Sequence, residues 1–191
     1  VTPACQAGYY LVVSNAYGVA TSSNAVLTVL PVVAWGLSSF GQTTVPVGVT
    51  NAVAIAAGGG HSVALKADGT VIVWGRSDLG QTTVPTGLND VVGIAAGYDH
   101  CLALRSNGTV VAWGGNNVGE SNVPESLSNV VEVSANEWHN LALRADGTVV
   151  AWGSLGQSSV PADLTNAVAI SAGISHNLAL RADGTVVAWG A

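Results

Sequence analysis

Four histidines are the residues of this chain whose type could most readily bind a metal ion. Each follows a short link, usually containing glycine, between two apolar runs: His61, His100, His139 and His176. Zinc needs ligands that converge at about 2 Å from the ion. Equivalent residues on neighbouring packed sheets are about 10 Å apart, and no cysteine or carboxylate completes a cluster within a repeat. We therefore predict no metal, and a structural role in which each imidazole hydrogen-bonds a backbone group of its own link.

Three aspartates could be read as acid or base groups. Asp68, Asp146 and Asp183 precede a Gly-Thr pair, but Asn107 stands at the same place in a fourth copy, so charge is not required there. A turn-forming role is therefore predicted. The serines show no Gly-x-Ser-x-Gly pattern, and no phosphate-binding loop of the P-loop type is present. The sequence thus predicts no enzyme activity and no cofactor.

The elements that must position these residues are set by an internal repeat. The motif Asp/Asn-Gly-Thr-Val-x-x-Trp-Gly occurs four times, and a shorter copy precedes it at Val32–Gly36. The tryptophans of the five copies are separated by 39, 39, 39 and 37 residues: Trp35, Trp74, Trp113, Trp152 and Trp189. A fixed period of this size indicates one supersecondary unit repeated. The recurring tryptophans are therefore predicted to be core residues between units.

Each unit contains apolar runs separated by turn signals. The first strands are predicted at Ala52–Ala57, Val91–Ala96, Val130–Ala135 and Ala167–Ala172. The second and third strands are Val63–Lys66 and Thr70–Trp74 and their equivalents, joined by an Asp-Gly or Asn-Gly turn for which type I′ is expected. A Gly-Gln/Glu-x-x-Val-Pro segment connects the units. Such three- to four-stranded meanders bury their faces by stacking, as in propellers and solenoids.

Composition excludes several function classes. The net charge is −6, and four of the five basic residues occupy one repeat position: Lys66, Arg105, Arg144 and Arg181. Nucleic-acid binding needs clustered basic residues, so no nucleic-acid partner is predicted. No apolar run reaches the roughly 18 residues that a membrane span requires. Cys5 and Cys101 leave the redox compartment open, and a disulfide between them has no support from the repeat.

The repeat resembles a known family. Gly-x-x-His-x-x-Ala-Leu-x-x-Asp-Gly-x-Val-x-x-Trp-Gly followed by Gly-Gln is similar to the repeat of the regulator of chromosome condensation superfamily, which implies a seven-bladed β-propeller. The connections Gly41–Pro46 and Gly80–Pro85 resemble the bacterial branch typified by β-lactamase inhibitor protein type II. Seven such units would need roughly 270 residues. An all-β partial propeller of about four blades is therefore expected over residues 31–191, with units at 35–73, 74–112, 113–151 and 152–188 and a truncated end.

Residues 1–30 do not fit the repeat. The segment Gln6-Ala7-Gly8-x-Tyr10-x-Val12 and the later run Ser22–Val29 resemble the last two strands of an immunoglobulin-like domain. By that resemblance Tyr10 is the tyrosine of the tyrosine corner, and Val12 replaces the second cysteine. Tyr9–Val13 and Ala25–Val29 are predicted to pair as a β-hairpin and to pack on the first blade fragment.

Function is expected where the repeats differ, because loops on a rigid scaffold commonly carry it. Phe40 is the only phenylalanine, and Trp138 is the only tryptophan outside the Trp-Gly position. Aromatic residues are frequent interface anchors. In proteins similar to the inhibitor branch, loop aromatics on one propeller face contact the bound enzyme. That resemblance implies these candidates for partner contact: Trp138, Phe40, Tyr98, Asp99, Glu137 and Asp78.

The resulting prediction is a non-enzymatic protein-binding scaffold, part of a larger secreted or cell-surface bacterial protein. The location is implied by the resemblance of residues 1–30 to an immunoglobulin-like module joined to such repeats. Inhibition of a β-lactamase is a more specific form of this protein-binding function. A guanine nucleotide exchange factor, as among the eukaryotic relatives, and a purely structural spacer are the alternatives. The uniform spacing shows no inserted loop of the kind that an exchange factor would need.

Overall fold

The computed structural model describes residues 32–154, 156 and 158–190, together with the backbone of four short strands before them. Those four strands are β1 (Ala7–Tyr9), β2 (Val12–Asn15), β3 (Gly18–Thr21) and β4 (Ala25–Leu27). They form two small antiparallel pairs, β1 with β4 and β2 with β3.

The predicted single hairpin is therefore only partly correct. Tyr9 pairs with Ala25 as expected, but Val13 pairs with Ala20, because a tight β2–β3 hairpin forms inside the longer one. Tyr10 and Cys5 lie outside the described residues, as does any packing of the hairpin on the first blade fragment.

The repeats fold as four antiparallel sheets of three strands each. The first sheet is β5 (Ala52–Ala57), β6 (His61–Lys66) and β7 (Val71–Gly75). The second is β8 (Val91–Ala96), β9 (His100–Arg105) and β10 (Val110–Gly114). The third is β11 (Val130–Asn136), β12 (His139–Arg144) and β13 (Val149–Gly153). The fourth is β14 (Ala167–Ala172), β15 (His176–Arg181) and β16 (Val186–Gly190).

This arrangement confirms the predicted all-β fold of four propeller blades. In each blade the middle strand pairs with both neighbours, and the Val-Pro segment forms no strand, so each blade has three strands. Among the described residues there is no helix that is long and apolar enough to cross a membrane.

The turn between the second and third strands differs from the predicted type I′. Gly69 has φ of 80°, whereas Asp68 does not have positive φ. The amide of Gly69 donates to the carbonyl of Lys66 (3.0 Å), and the amide of Lys66 donates to that of Thr70 (2.9 Å). These bonds define a three-residue loop, in which a type I turn is followed by glycine in the left-handed region.

The aspartate of that turn stabilises the turn through its side chain, in agreement with the predicted turn-forming role. Oδ1 of Asp68 accepts from the amide and the hydroxyl of Thr70 at 3.1 and 2.5 Å. Asn107 makes the same pair of bonds to Thr109 at 3.1 and 2.7 Å. An amide oxygen serves as well as a carboxylate here, which explains why charge is not required at this position.

The packing between blades follows from alternation along the middle strand. Leu102 and Leu104 of β9 face the third blade, whereas Cys101 and Ala103 face the first. Cys101 is the strand partner of Trp113, so the small side chains leave room for the indole in the same interface. Full burial of a leucine contributes about 2–3 kcal/mol. Each blade interface therefore forms its own hydrophobic core.

The four sheets do not close into a ring, and both ends of the array expose apolar surface. Leu178 and Leu180 in the fourth blade are each 38% exposed. Leu102 and Leu141, which occupy the position of Leu178 in the second and third blades, are fully buried. At the other end, Trp35 is 85% exposed. The predicted core role of the periodic tryptophans therefore holds for Trp74, Trp113 and Trp152, but it is wrong for Trp35, which is exposed among the described residues.

Candidate functional site

Strand direction places two sets of loops at the same end of every blade. The links before the histidines begin the middle strand, and the third strand returns to that end at Trp-Gly. We call this end the link face; it comprises the links 58–60, 97–99, 136–138 and 173–175 and the loops after Trp-Gly. The opposite end, with the Asp/Asn-Gly-Thr turns, is the turn face. All six partner-contact candidates lie on the link face.

Backbone hydrogen bonds tie the links of neighbouring blades together. The amide of Gly59 donates to the carbonyl of Tyr98 at 3.0 Å, and the amide of Tyr98 donates to that of Glu137 at 3.2 Å. Nδ2 of Asn136 donates to the carbonyl of Ala172 at 3.1 Å. The first three links are thus fixed relative to one another, and the third is tied to the end of β14 in the fourth blade.

Tyr98 and Trp138 form an aromatic pair on this face. Their ring centroids are 5.8 Å apart and their planes are tilted by 31°. Trp138 is half-buried and follows Glu137 in a two-residue turn that joins β11 to β12. Two aromatic rings at this separation attract each other through their edges and faces. The sequence predicts both residues as candidates, and the structure brings them together.

Phe40, Asp78 and Asp99 are also brought together, through Arg76. The guanidinium carbon of Arg76 lies 5.5 Å from the centre of the Phe40 ring. Nη1 of Arg76 is 2.9 Å from Oδ1 of Asp99, and Nη2 is 2.7 Å from Oδ2 of Asp78. Asp99 is only 5% exposed and also accepts from Nε2 of Gln81 at 3.2 Å. The geometry therefore makes Asp99 the anchor of Arg76, whereas Asp78 stays accessible.

Sequence reasoning did not select Arg76. The signal was present, because Arg76 is the one basic residue outside the recurrent position that holds the other four. An arginine is also suited to this place, because it can pair with two carboxylates while its planar guanidinium group lies over an aromatic ring.

Sequence reasoning selected Phe40 but missed that an apolar residue recurs at its position, before the Gly-Gln or Gly-Glu pair. Phe40, Leu79 and Val118 occupy this position on three loops, and all three side chains are exposed. The following polar side chain folds back to cap each loop: Oε1 of Gln42 accepts from Phe40, Oε1 of Gln81 from Leu79 and Oε2 of Glu120 from Val118. Phe40 is thus a variant of a recurrent apolar position on a fixed loop.

The histidines hold neighbouring blades together, which differs from the predicted bond within their own link. Nε2 of His100 lies 2.6 Å from Oδ1 of Asn140, and Nε2 of His139 lies 2.7 Å from Oδ1 of Asn177. Cys101 takes the same place for His61, with Sγ 3.2 Å from Nε2. His176 in the fourth blade is exposed.

The orientation of these bonds is set by a second contact. Nδ2 of Asn140 donates to the carbonyl of Glu120 at 2.7 Å, so Oδ1 is the acceptor and Nε2 of His100 carries the proton. Nε1 of Trp152 donates to the same carbonyl at 3.0 Å. Trp113 and Trp74 make the equivalent bond to Gln81 and Gln42, each at 2.8 Å. The recurrent tryptophan therefore fixes the loop that precedes each of the first three blades, and before the third blade Asn140 contacts the same loop.

Burial controls the ionisation of these groups. Desolvation lowers the pKa of His61 to about 4, and it also lowers the pKa of His100 and of His139. The Cys101 thiol, unpaired and buried, has its pKa raised to about 12 by the same cause. A thiolate is the reactive form, so this cysteine is a packing residue.

The link face presents a surface that a partner could contact. Within residues 32–154, 156 and 158–190, no group of three or more His, Cys, Asp or Glu is placed to hold a metal ion. The face instead offers exposed apolar and aromatic side chains on capped loops, with Asp78 and Glu137 beside them. Together the sheets and this face define a β-propeller repeat protein.

Comparison with known proteins identifies the family. The signature of the "Regulator of chromosome condensation (RCC1) repeat" matches residues 52–81, 91–120, 130–157 and 167–191, which is more than half of the chain. The chain therefore belongs to the RCC1 repeat family. No curated protein matches it significantly.

Solved structures support the fold. A crystal structure of Kap60 bound to yeast RCC1 (Prp20) has a TM-score of 0.63 at 23% identity, covering 82% of this chain and 45% of that one. Prp20p from Saccharomyces cerevisiae, reported with its binding properties to Gsp1p and histones, has a TM-score of 0.63 at 23% identity, covering 82% of this chain and 47% of that one. Human WBSCR16 has a TM-score of 0.60 at 23% identity, covering 73% of this chain and 47% of that one. The chain spans less than half the length of these proteins, and identities this low show the fold alone.

Proposed function

We propose that this chain is a non-enzymatic protein-binding scaffold whose partner docks on the link face. The observation that carries the proposal is the exposure of Phe40 (54%) and Tyr98 (45%) on one face of a rigid repeat array. Leu79 and Val118 add exposed apolar surface on the same face. Aromatic side chains in such positions are the usual anchors of protein interfaces.

Rigidity supports the same proposal. Association costs free energy when side chains and loops become ordered on binding. On the link face that cost is reduced, because Gln42, Gln81 and Glu120 cap the loops and Arg76 is held by two carboxylates. The partner therefore meets a surface that is already ordered.

The sequence supports two more specific parts of the proposal, the location of the protein and the branch of the family. We place the parent protein outside a bacterial cell, secreted or at the surface, because residues 1–30 resemble the end of an immunoglobulin-like domain. The Gly-Gln-Thr-Thr-Val-Pro connections support membership of the β-lactamase inhibitor protein type II branch. A β-lactamase is accordingly the first partner to test, while an exchange factor and a structural spacer are the competing functions.

The test is differential capture of proteins by the immobilised chain. Tyr98→Ser and Leu79→Ser remove exposed apolar groups from the link face. Val131→Ser is the matched control, because Val131 is at least as exposed as Tyr98 and Leu79 but lies at the start of β11, near the turn face. The proposal predicts a protein retained by the wild type and by Val131→Ser but lost from both link-face variants. Proteins that all three variants retain would favour the spacer.

A further inference from the structure

The link face contains a cavity of about 350 Å³ where the four links meet. Its wall is made largely of glycine and alanine from the ends of β5, β8 and β11 and from the links that follow them. Ile174 from the fourth blade, Tyr98 and Glu137 complete the lining. The cavity is large enough for an extended aliphatic side chain, and its apolar wall suits the stem of such a chain.

Glu137 is the charged residue that lines this cavity. The amide of Asn136, which also lines the cavity, is already engaged, since Nδ2 donates to Ala172 and Oδ1 accepts from the amide of Glu137 at 2.7 Å. The carboxylate of Glu137 has no hydrogen bond or ion pair within the described part of the chain.

None of the five lysine and arginine side chains of this protein neutralises Glu137. Four of them form ion pairs elsewhere: Lys66 with Asp68, Arg76 with Asp78 and Asp99, Arg105 with Asp90, and Arg181 with Asp163. Arg144 donates to the carbonyl of Ser126 at 3.0 Å. A cation that pairs with Glu137 would therefore come from outside the chain.

We propose that the cavity receives a basic side chain of the docked protein. The cation pairs with the Glu137 carboxylate beside the Tyr98 ring, and the alkyl stem lies against Ile174 and the glycine and alanine wall. Tyr98 is held for this contact by Trp138, which does not line the cavity itself. A cation beside an aromatic ring and a carboxylate gains from both, and more so where water is excluded. This inference rests on the proposed docking of a protein at the link face.

The test uses a defined probe and no natural partner. The peptide acetyl-Gly-Gly-Lys-Gly-Gly-amide is titrated into the chain while the backbone amides and the indole signal of Trp138 are followed by NMR. The norleucine peptide, which keeps the stem and lacks the charge, is the matched control. We expect saturable shifts confined to the links for the lysine peptide, weakening at high salt, and affinity about fivefold lower for Glu137→Gln.

Three results would overturn the inference: equal binding of the norleucine peptide, unchanged affinity in Glu137→Gln, or no saturable shift up to the solubility limit. The outcome is separable from that of the proposed function. If the lysine peptide fails while Tyr98→Ser still abolishes protein capture, the basic side chain is wrong and docking at the link face stands.

Discussion

Nε2 of His100 lies 2.6 Å from Oδ1 of Asn140, in the next blade. Both residues are fully buried, and the bond is repeated between the third and fourth blades by His139 and Asn177. The interface is therefore joined by a directed hydrogen bond as well as by apolar packing, and this bond lies directly beneath the link face. Alignment of the links depends on it, because each histidine starts the strand that follows its link.

We expect His100→Ala to destabilise the chain by about 2–4 kcal/mol, because it leaves a cavity and an unsatisfied Oδ1 on Asn140. His176→Ala is the matched control at the same repeat position. His176 is exposed, so its removal should change the free energy of unfolding by about 0.5 kcal/mol or less. Urea unfolding of both variants measures the difference, and equal losses would show that the bond between blades does not matter.

Stability should fall as pH drops from about 6.5 to about 4. The pKa of His61 is lowered to about 4 in the folded chain, so the neutral form is favoured there, whereas an unfolded histidine titrates near 6.5. The contribution of neutral His61 to the free energy of unfolding is therefore fully present above pH 6.5. At pH 4 the protonation of His61 alone should have lowered the free energy of unfolding by about 3 kcal/mol.

The turn aspartates act in a different pH window, which separates their effect on stability from that of the histidines. The Thr70 hydroxyl and amide lower the pKa of Asp68 to about 2, so its contribution is present above pH 3.8 and is lost between about 3.8 and 2. Urea midpoints measured at pH 7.5, 6, 5 and 4.5 test the histidine term. A flat profile across that range would contradict it.

Gly97→Ala should destabilise the chain by more than about 2 kcal/mol, because overpacking forces side chains and backbone to move. A Cβ at Gly97 would lie 2.0 Å from Cε1 of His100. Gly48→Ala is the control, since a Cβ there meets nothing within 4 Å and the backbone has ordinary φ. Thermal unfolding of the two variants should differ by several degrees, and similar melting temperatures would exclude the steric argument.

Arg76→Gln should cost about 1–3 kcal/mol, because Asp99 is left buried without its cation. Asp78→Asn should cost much less, since Asp78 is exposed and Arg76 keeps Asp99. Chemical unfolding compares the two variants. If Asp78→Asn were as damaging as Arg76→Gln, then Asp99 would not be the principal partner of Arg76.

Much of the fold is encoded locally and was predictable. The strand positions follow from alternating valine, alanine and leucine between glycine turns, and Ala52–Ala57 and Val91–Ala96 were predicted with the observed bounds. The turn type was wrong, because Asp-Gly supports both a two-residue loop and the three-residue loop that forms here.

The missed features depend on contacts between blades, which sequence spacing does not reveal. Nothing in the chain says that His100 reaches Asn140, 40 residues later, rather than its own link. The burial of Asp99 beneath Arg76 is likewise a tertiary contact. By contrast, the apolar position shared by Phe40, Leu79 and Val118 was visible in the repeat alignment.

The most direct test of docking at the link face is site-specific photo-crosslinking of a captured protein. A benzoylphenylalanine at Tyr98 keeps an aromatic ring on the link face, and the same group at Val131 reports on the other end of the blade. We expect a covalent adduct from position 98 and none from position 131. Adducts from position 131 alone, or equally from both positions, would contradict a binding site on the link face.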